Sequence, residues 1–506
     1  MHSAVTQIAN ALKLREHTQY RILEILPGFL VWTSFVVAVA ISFIQPIWVI
    51  GFIILFDLYW FIRAVYILVY LLIAFRRYRM TINVDWAAKV RSMPGWDSIR
   101  HLIVVPLSKE PYEVLEQSFR AFTKSSFPLK NLIVVLACEE RFTENTRPSA
   151  ERIRREFAGV FGELIVVHHP DNISGEIAGK GSNIAYAGRR AKLRIDELGI
   201  PYDRVLVTTL DVDSVLHPHY FSYLTYTFLN HPNRLRTSYQ PLAFFNNNIW
   251  QSPALTRIVA NSTTFWLMTE TVRPDRLFTF SSHSMPFTAL VDVDFWQNDI
   301  VTEDSRIFLQ CFIRYDGDYT VTPLYLPVSM DTVATESLWR TIVNQYKQQR
   351  RWAYGVENFP YMVWNFTADR MIPFGKKLKY VWNQLEGVFS WATAPILIFI
   401  LGWLPINIAN QRGSTLMIVQ NAPYILQDLM ILAMVGLVAA AVLSTLIAPP
   451  PPKKSGWWWF FPMVLQWILF PVTMVLFGSI PATDAQTRLM LGKYLGFCVT
   501  EKTRKT

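Results

Sequence analysis

Two long apolar runs near the start of the chain, separated by a single polar residue, constrain it more than anything else in the sequence. Phe29–Ile44 carries no charge, and Pro46–Phe75 carries only Asp57 and Arg63. Each run is long enough, or nearly so, to cross a hydrocarbon layer as a helix, the form in which a lipid-exposed backbone satisfies its own hydrogen bonds. Their junction at Gln45-Pro46 predicts a tight helical hairpin. Three more runs follow far down the chain, at Phe389–Pro405, Tyr424–Ala448 and Trp457–Ile480. A cleavable signal peptide fits poorly, because the first apolar run starts late and a second span follows it at once. The 52% hydrophobic and 17% charged composition of the 506 residues agrees with an integral membrane protein.

The charge left over reports orientation. A net charge of +10 would suit nucleic acid, but the basic residues sit beside the apolar runs: Arg76-Arg77-Tyr78-Arg79 after the second, Lys376-Lys377-Leu378-Lys379 before the third. That is a positive-inside pattern, or else a solvated charge run. It predicts a cytosolic stretch from 76 to 379, contact with membrane lipid, and no nucleic-acid partner. Pro449–Pro452 with Lys453-Lys454 reads as a stiff basic turn, and Trp457–Trp459 as an interface belt. Two spans, a cytosolic domain and three more spans would put the tail outside, whereas Lys502, Arg504 and Lys505 favour the inside. One segment is then re-entrant, or a sixth pass lies within 380–421 or 481–498, so the expectation is five to six spans. Ile8–Leu26 reads as an amphipathic stretch along the membrane surface. Cys138, Cys311 and Cys498 are too few and scattered for a disulfide framework or a cysteine zinc site, and read as packing residues.

Between the apolar runs the pattern changes. Short β-branched stretches at His101–Val105, Asn131–Val135, Glu163–Val167 and Val205–Leu210 alternate with helical periodicity at Tyr112–Phe122, Ala150–Phe161 and Asn183–Leu198. Strand then helix, repeated, with both strand faces apolar, predicts a parallel sheet covered on both sides. Ligands of such sheets sit at the carboxyl ends of the strands.

The fourth stretch ends there in Asp211-Val212-Asp213. Period two puts both carboxylates on one side of an extended backbone, a set of hard oxygens suited to Mg²⁺ or Mn²⁺ with a diphosphate completing the shell; a turn or helix cap would use the same residues. Gly179-Lys180-Gly181-Ser182-Asn183 opens a helix without the spacing of a phosphate loop. Lys180 and free amides would still suit a phosphate, and a plain glycine turn is the alternative. Glu303 and Asp304 precede a helical Arg306–Phe312, either as acids that favour a helix amino end or as a general base. Thr335–Trp352 is amphipathic, with Leu338, Trp339, Ile342 and Tyr346 on one stripe and Gln348, Arg351 and Trp352 roughly opposite.

The ordered set Asp211-Val-Asp213, Thr302-Glu-Asp304 and Gln348-Gln-Arg-Arg-Trp352, lying between membrane segments, resembles the membrane-embedded family two glycosyltransferases, the cellulose, hyaluronan, chitin and poly-N-acetylglucosamine synthases. The resemblance covers roughly residues 28–480. Gly179-Lys180 is similar to that family's Gly-Lys element, Tyr239-Gln240-Pro241 to its Gln-Thr-Pro segment, and Ser281–Ser284 to its acceptor-proximal finger loop. The resemblance implies an α/β GT-A domain with a Rossmann-like mixed sheet inserted between transmembrane helices. It implies a nucleoside diphosphate sugar donor, expected to be UDP-linked, and a Mg²⁺ or Mn²⁺ cofactor. Asp213 would be the main metal ligand and Asp211 its partner at the donor. Asp304 beside Glu303 would take the acceptor proton, and Gln348, Arg351 and Trp352 would hold the diphosphate and the acceptor sugar. Lys180, Gln240 and His283 would line the substrate. Two departures stand out. Relatives usually carry an Asp pair after the second strand to bind the base and ribose, where Glu139 or Glu140 would substitute here with a longer reach, and His283 stands where a glycine is common in the finger loop.

The implied organisation is an amphipathic segment at 1–27, a transmembrane hairpin at 28–75, the GT-A domain at 76–334, interface helices at 335–379, a transmembrane bundle at 380–480 and a tail at 481–506. The implied function is inverting sugar transfer to a growing polysaccharide at the cytosolic face of the plasma (inner) membrane, with export through the helices. Transfer of one sugar to a lipid acceptor is the alternative enzyme. A catalytically silent scaffold is the alternative outside enzymes, and it has no physical need of Asp211, Asp213, Asp304 and Arg351 together.

Overall fold

The computed structural model describes residues 2–451 and 457–496, with side chains described for 17–451 and 458–496. Cys498, the basic turn at Lys453-Lys454 and the tail cations Lys502, Arg504 and Lys505 lie outside the described residues. The described residues divide into two compact units, one of 2–66, 346–442 and 467–495, the other of 67–345, 443–451, 457–466 and 496.

In the second unit eight strands form one sheet in the order β3-β2-β1-β4-β7-β6-β8-β5. They are β1 Arg100–Leu107, β2 Leu132–Glu139, β3 Glu163–His169, β4 Val205–Thr209, β5 Val215–Leu216, β6 Thr237–Phe245, β7 Ser284–Pro286 and β8 Thr320–Met330. The four strands expected from the sequence are β1 to β4, and they pair in parallel. Every residue of β2 and β4 is buried, as expected of strands covered on both faces. Burying each Val, Ile or Leu side chain there contributes about 1.5–3 kcal/mol relative to leaving it in water. The helices Tyr112–Thr123, Thr143–Glu156 and Lys180–Glu197 connect these strands. The middle one differs from the expected Ala150–Phe161. It starts at Thr143, its first turns are polar, and Phe157 and Phe161 lie beyond its end, packed against Phe119.

The remaining half of the sheet is mixed, which alternating apolar runs could not signal. β7 runs antiparallel to β4, with Ser284 opposite Thr208, and their hydroxyls share a 2.7 Å hydrogen bond. This pairing carries residues 280–283 to the carboxyl end of β4. β8 pairs with β6 in parallel, with a register shift after Pro241, and ends at Met330. The helix Glu303–Arg314 precedes β8.

In the first unit the helix His2–Ile44 runs unbroken through Pro27, so the expected surface stretch and the first span are one helix. Five helical stretches among the described residues are long and apolar enough to cross a membrane: His17–Ile44, Pro46–Ile82, Phe374–Gln411, Met417–Ile447 and Phe460–Met490. No sixth stretch meets that measure among them, and residues 481–490 complete the fifth. Val49, Ile50, Ile53, Leu397, Leu401 and Leu426 share an apolar core in this unit. Arg63, mid-helix, is ion-paired with Glu386 and lies 4.9 Å from the Trp60 ring centroid, which is how an apolar segment carries that charge.

Candidate functional site

Because β1 to β4 are parallel, their carboxyl ends share one edge of the sheet, and that edge collects the polar groups of the second unit. Lys180 is the first residue of its helix, and the whole first turn, Lys180 to Asn183, is buried. The turn is held by Ser182, whose hydroxyl accepts from the Gly179 amide at 3.2 Å and donates to the Ile177 carbonyl at 2.9 Å. Asn183 donates to the Ala137 carbonyl of β2 at 2.7 Å.

Three carboxylates surround the Lys180 ammonium. Its Nζ lies 2.7 Å from Asp304 Oδ2, 2.9 Å from Asp211 Oδ1 and 3.6 Å from Glu303 Oε1. Burial pulls the ammonium's pKa down, but Asp211, Asp304 and Glu303 outweigh it and the net shift is upward, so Lys180 stays charged. Gly181 makes the approach feasible: a Cβ there would fall 3.2 Å from Glu303 Cβ and 3.3 Å from the Gln297 carbonyl. Gly181, which stands where a phosphate loop would need Ser or Thr, serves close contact between two helix starts. Of the adjacent acids, Asp304 is 22% exposed and Glu303 only 2%. Asp304 is therefore the more accessible of the two acids.

Asp211 also accepts from the Ser281 hydroxyl at 2.7 Å, which ties the end of β4 to the finger loop. Asp213 is 3% exposed; its Oδ2 accepts from the Asp331 amide at 2.9 Å and its carbonyl from Asn247 at 3.0 Å. The loop itself is supported from beneath. Gln240 Oε1 accepts from the Phe280 amide at 2.9 Å, and its Nε2 donates to the Ser281 carbonyl at 3.3 Å. His283 is fully buried, with Nδ1 3.1 Å from the Phe280 carbonyl and 3.9 Å from Asp304 Oδ1, and burial lowers its pKa to about 4. Gln240 and His283, expected along the substrate, spend the hydrogen bonds described here on loop backbone. Ser282 takes φ +68° in the position where a glycine would be unstrained.

Two groups at this edge were not singled out in the sequence. Ser108 and Glu110 follow β1; Glu110 Oε2 accepts from the Ser108 amide at 2.8 Å, and burial, with some contribution from Asp213, raises its pKa. No spacing signal marks them, since only the pairing of β1 with β4 brings them near Asp213. Glu139 ends β2, buried and ion-paired with Arg141. Both line a pocket of about 250 Å³ with His169, Asn172 and Glu176. Gln348, Arg351 and Trp352 lie on the helix Leu338–Ala353, in its part that belongs to the first unit.

Among the described residues no three His, Cys, Asp or Glu side chains form a ready metal cage. Asp211 and Asp213 lie past the end of β4 at a turn in which the Ser214 amide donates to the Asp211 carbonyl at 3.0 Å, not on the extended backbone expected from period two. Their hard oxygens are still of the type a divalent ion takes from one or two carboxylates, with phosphate oxygens and water completing its shell.

The carboxyl edge of this mixed α/β sheet thus gathers three carboxylates around one buried ammonium. The chain belongs to the glycosyl transferase family group 2, whose sequence model matches residues 206–476. It is a glycosyltransferase that uses a nucleotide-sugar donor, built on a GT-A domain and joined to helices able to cross a membrane. Similar solved structures include the mannosyltransferase PcManGT of Pyrobaculum calidifontis in complex with GDP-Man and Mn²⁺, at 12% identity over 75% of this chain and 99% of that one, with a TM-score of 0.42. Residues 1–349 of S. aureus TarS in complex with UDP-GlcNAc are 12% identical over 69% of this chain and 91% of that one, with a TM-score of 0.37. None of the curated proteins compared with the chain matches it.

Proposed function

We propose that this glycosyltransferase transfers sugar units with inversion, in a metal-dependent reaction, from a nucleoside diphosphate sugar to a growing polysaccharide at the cytosolic face of the plasma membrane. The observation that carries the reading is the Lys180 cluster, which puts Asp211 and Asp304 on one ammonium at the carboxyl edge of the sheet. Asp304, partly exposed, accepts the proton of the acceptor hydroxyl. The freed oxygen forms a bond to the anomeric carbon as the bond from that carbon to the diphosphate breaks on the opposite side, so the configuration inverts. Asp211 and Asp213 would hold a divalent cation, which when bound would supply charge to stabilise the leaving diphosphate. Lys180, 2.7 Å from Asp304 Oδ2, holds that carboxylate in place before the acceptor arrives and offers a positive charge to the leaving group.

Glu139 is assigned to the base and ribose of the donor, expected to be UDP-linked. Gln240 and His283 set the height of the finger loop on which the acceptor rests, and Glu303 backs Asp304. Gln348 and Arg351 are assigned to the diphosphate and Trp352 to stacking on the acceptor ring. Five candidate spans and an amphipathic helix bearing these three residues support a processive enzyme that exports its product.

The test is release of nucleoside diphosphate from a panel of nucleotide sugars by the full chain in nanodiscs, with Mn²⁺, Mg²⁺ or chelator, beside Asp304→Asn. Release with one donor, lost on chelation and in Asp304→Asn, supports the reading, and product length on a gel then separates polymerisation from single transfer to lipid. No release from any donor, even with membrane lipid extract as acceptor, sinks it.

A further inference from the structure

We infer that Asp484 is a positioning residue for the helix that carries Gln348, Arg351 and Trp352, an inference that rests on the assignment of those three residues to substrate. Tyr346 and Arg350 lie one turn apart on the helix Leu338–Ala353. At about 100° per residue, the middle of their face is roughly 170° from the middle of the face shared by Gln348, Arg351 and Trp352. Both residues of the back face bind one oxygen. Asp484 Oδ2 accepts from Tyr346 Oη at 3.0 Å and from Arg350 Nη1 at 2.9 Å, while Oδ1 accepts from Arg488 Nε at 2.8 Å. The Arg350 guanidinium also lies 5.8 Å from the Tyr346 ring centroid.

The helix bearing the carboxylate, Ile480–Met490, is itself held along its length. Gln486 donates to the Val388 carbonyl at 2.7 Å, and Arg21 donates to the Leu489 carbonyl at 2.8 Å. Gly28 packs so closely that a Cβ would fall 2.7 Å from the Gln486 carbonyl. Asp484 is thus a fixed point, and a half-buried one, its side chain 25% exposed and that of Arg350 22%. Two donors one turn apart converging on one oxygen set both the rotation and the height of their helix. Turning it by a single residue would part Tyr346 and Arg350 from Asp484 and swing the opposite face by the same angle. The carboxylate therefore acts on the substrate face through the helix, without touching it.

The experiment uses the full chain in nanodiscs and reads two quantities, steady-state diphosphate release and amide hydrogen exchange across residues 346–353. Asp484→Ala is expected to lower kcat/KM on the order of 10- to 100-fold, the range for residues that hold a reacting group in place. Asp484→Glu should recover most of it. In an Arg351→Ala background the same change should cost less than about threefold, because the face being positioned has already lost its main group. Losses that multiply in that background, or wild-type kcat/KM in Asp484→Ala, overturn the inference. Where Asp484→Ala does not fold, Arg350→Gln carries the test, since Asp484 keeps Arg488 as a partner in it. Its exchange across 346–353 should quicken about tenfold, and unchanged exchange overturns the inference. Quickened exchange with Arg351→Ala as active as wild type would leave the latch standing and sink the assignment of Arg351.

Discussion

At the scale of single residues, the proposed chemistry turns on Lys180 and Asp304. Asp304→Asn removes the proton acceptor while Lys180 keeps Asp211, so turnover should fall on the order of 10²- to 10⁴-fold with the donor KM little changed and the melting temperature close to wild type. Steady-state release with and without acceptor checks it. Lys180→Met is a different lesion, leaving Asp211, Glu303 and Asp304 within one cluster without their cation. It should destabilise the fold by about 3 kcal/mol or more and cost activity as well, read by thermal melting beside turnover. The buried histidines add a pH dependence. His101 and His283 are held neutral by burial, with pKa values lowered to about 3 and about 4 from an ordinary 6.5. The unfolded chain binds protons there first, so their contribution to stability is complete above pH 6.5 and is lost as pH falls toward 4. Melting temperature should drop across that window, and His283→Gln should flatten part of the drop; an unchanged profile would remove His283 as a cause.

At the scale of elements, close approach is the recurrent device. Gly188 lies mid-helix in Lys180–Glu197, where a Cβ would meet Phe295 Cδ1 at 2.7 Å. Gly188→Ala should therefore push the helix that aims Lys180, costing about 1–3 kcal/mol despite alanine's better helix propensity. Denaturant melting of the purified protein is the check, and a stabilised variant would show that Phe295 yields freely. Phe295 and its neighbour Asp294 both take positive φ, so this segment has little freedom to move aside. The finger loop is a second case. Its position follows from the antiparallel pairing of β7 with β4, which brings Ser281 to within 2.7 Å of Asp211.

At the scale of the whole molecule, the basic clusters at the end of the second candidate-span helix and the start of the third predict which side the sheet faces. A cysteine placed at exposed Asp171, in a background without the native cysteines, should react with a membrane-impermeant maleimide in inverted vesicles and not in intact cells. Labelling of intact cells would reverse the orientation.

The apolar runs made the five candidate spans readable but left a sixth pass open, because no water-soluble fold needs segments of that length with so little charge. The parallel half of the sheet was equally readable, since strands buried on both faces must be apolar throughout. Asp211 with Asp213 and Glu303 with Asp304 were readable as acids at a strand end and a helix start, where local chemistry restricts their uses. The sequence could not show that 124 residues of chain separate partners that touch, Lys180 and Asp304. Nor could it show that the expected second helix begins at Thr143, because its first turns pack few apolar groups. Glu110 and Asp484 carry no local pattern, and each acquires its meaning from a group far along the chain. Pairing order, helix phase and close contact are long-range properties of the packed molecule, and they alone turned scattered charges into a cluster around one buried ammonium.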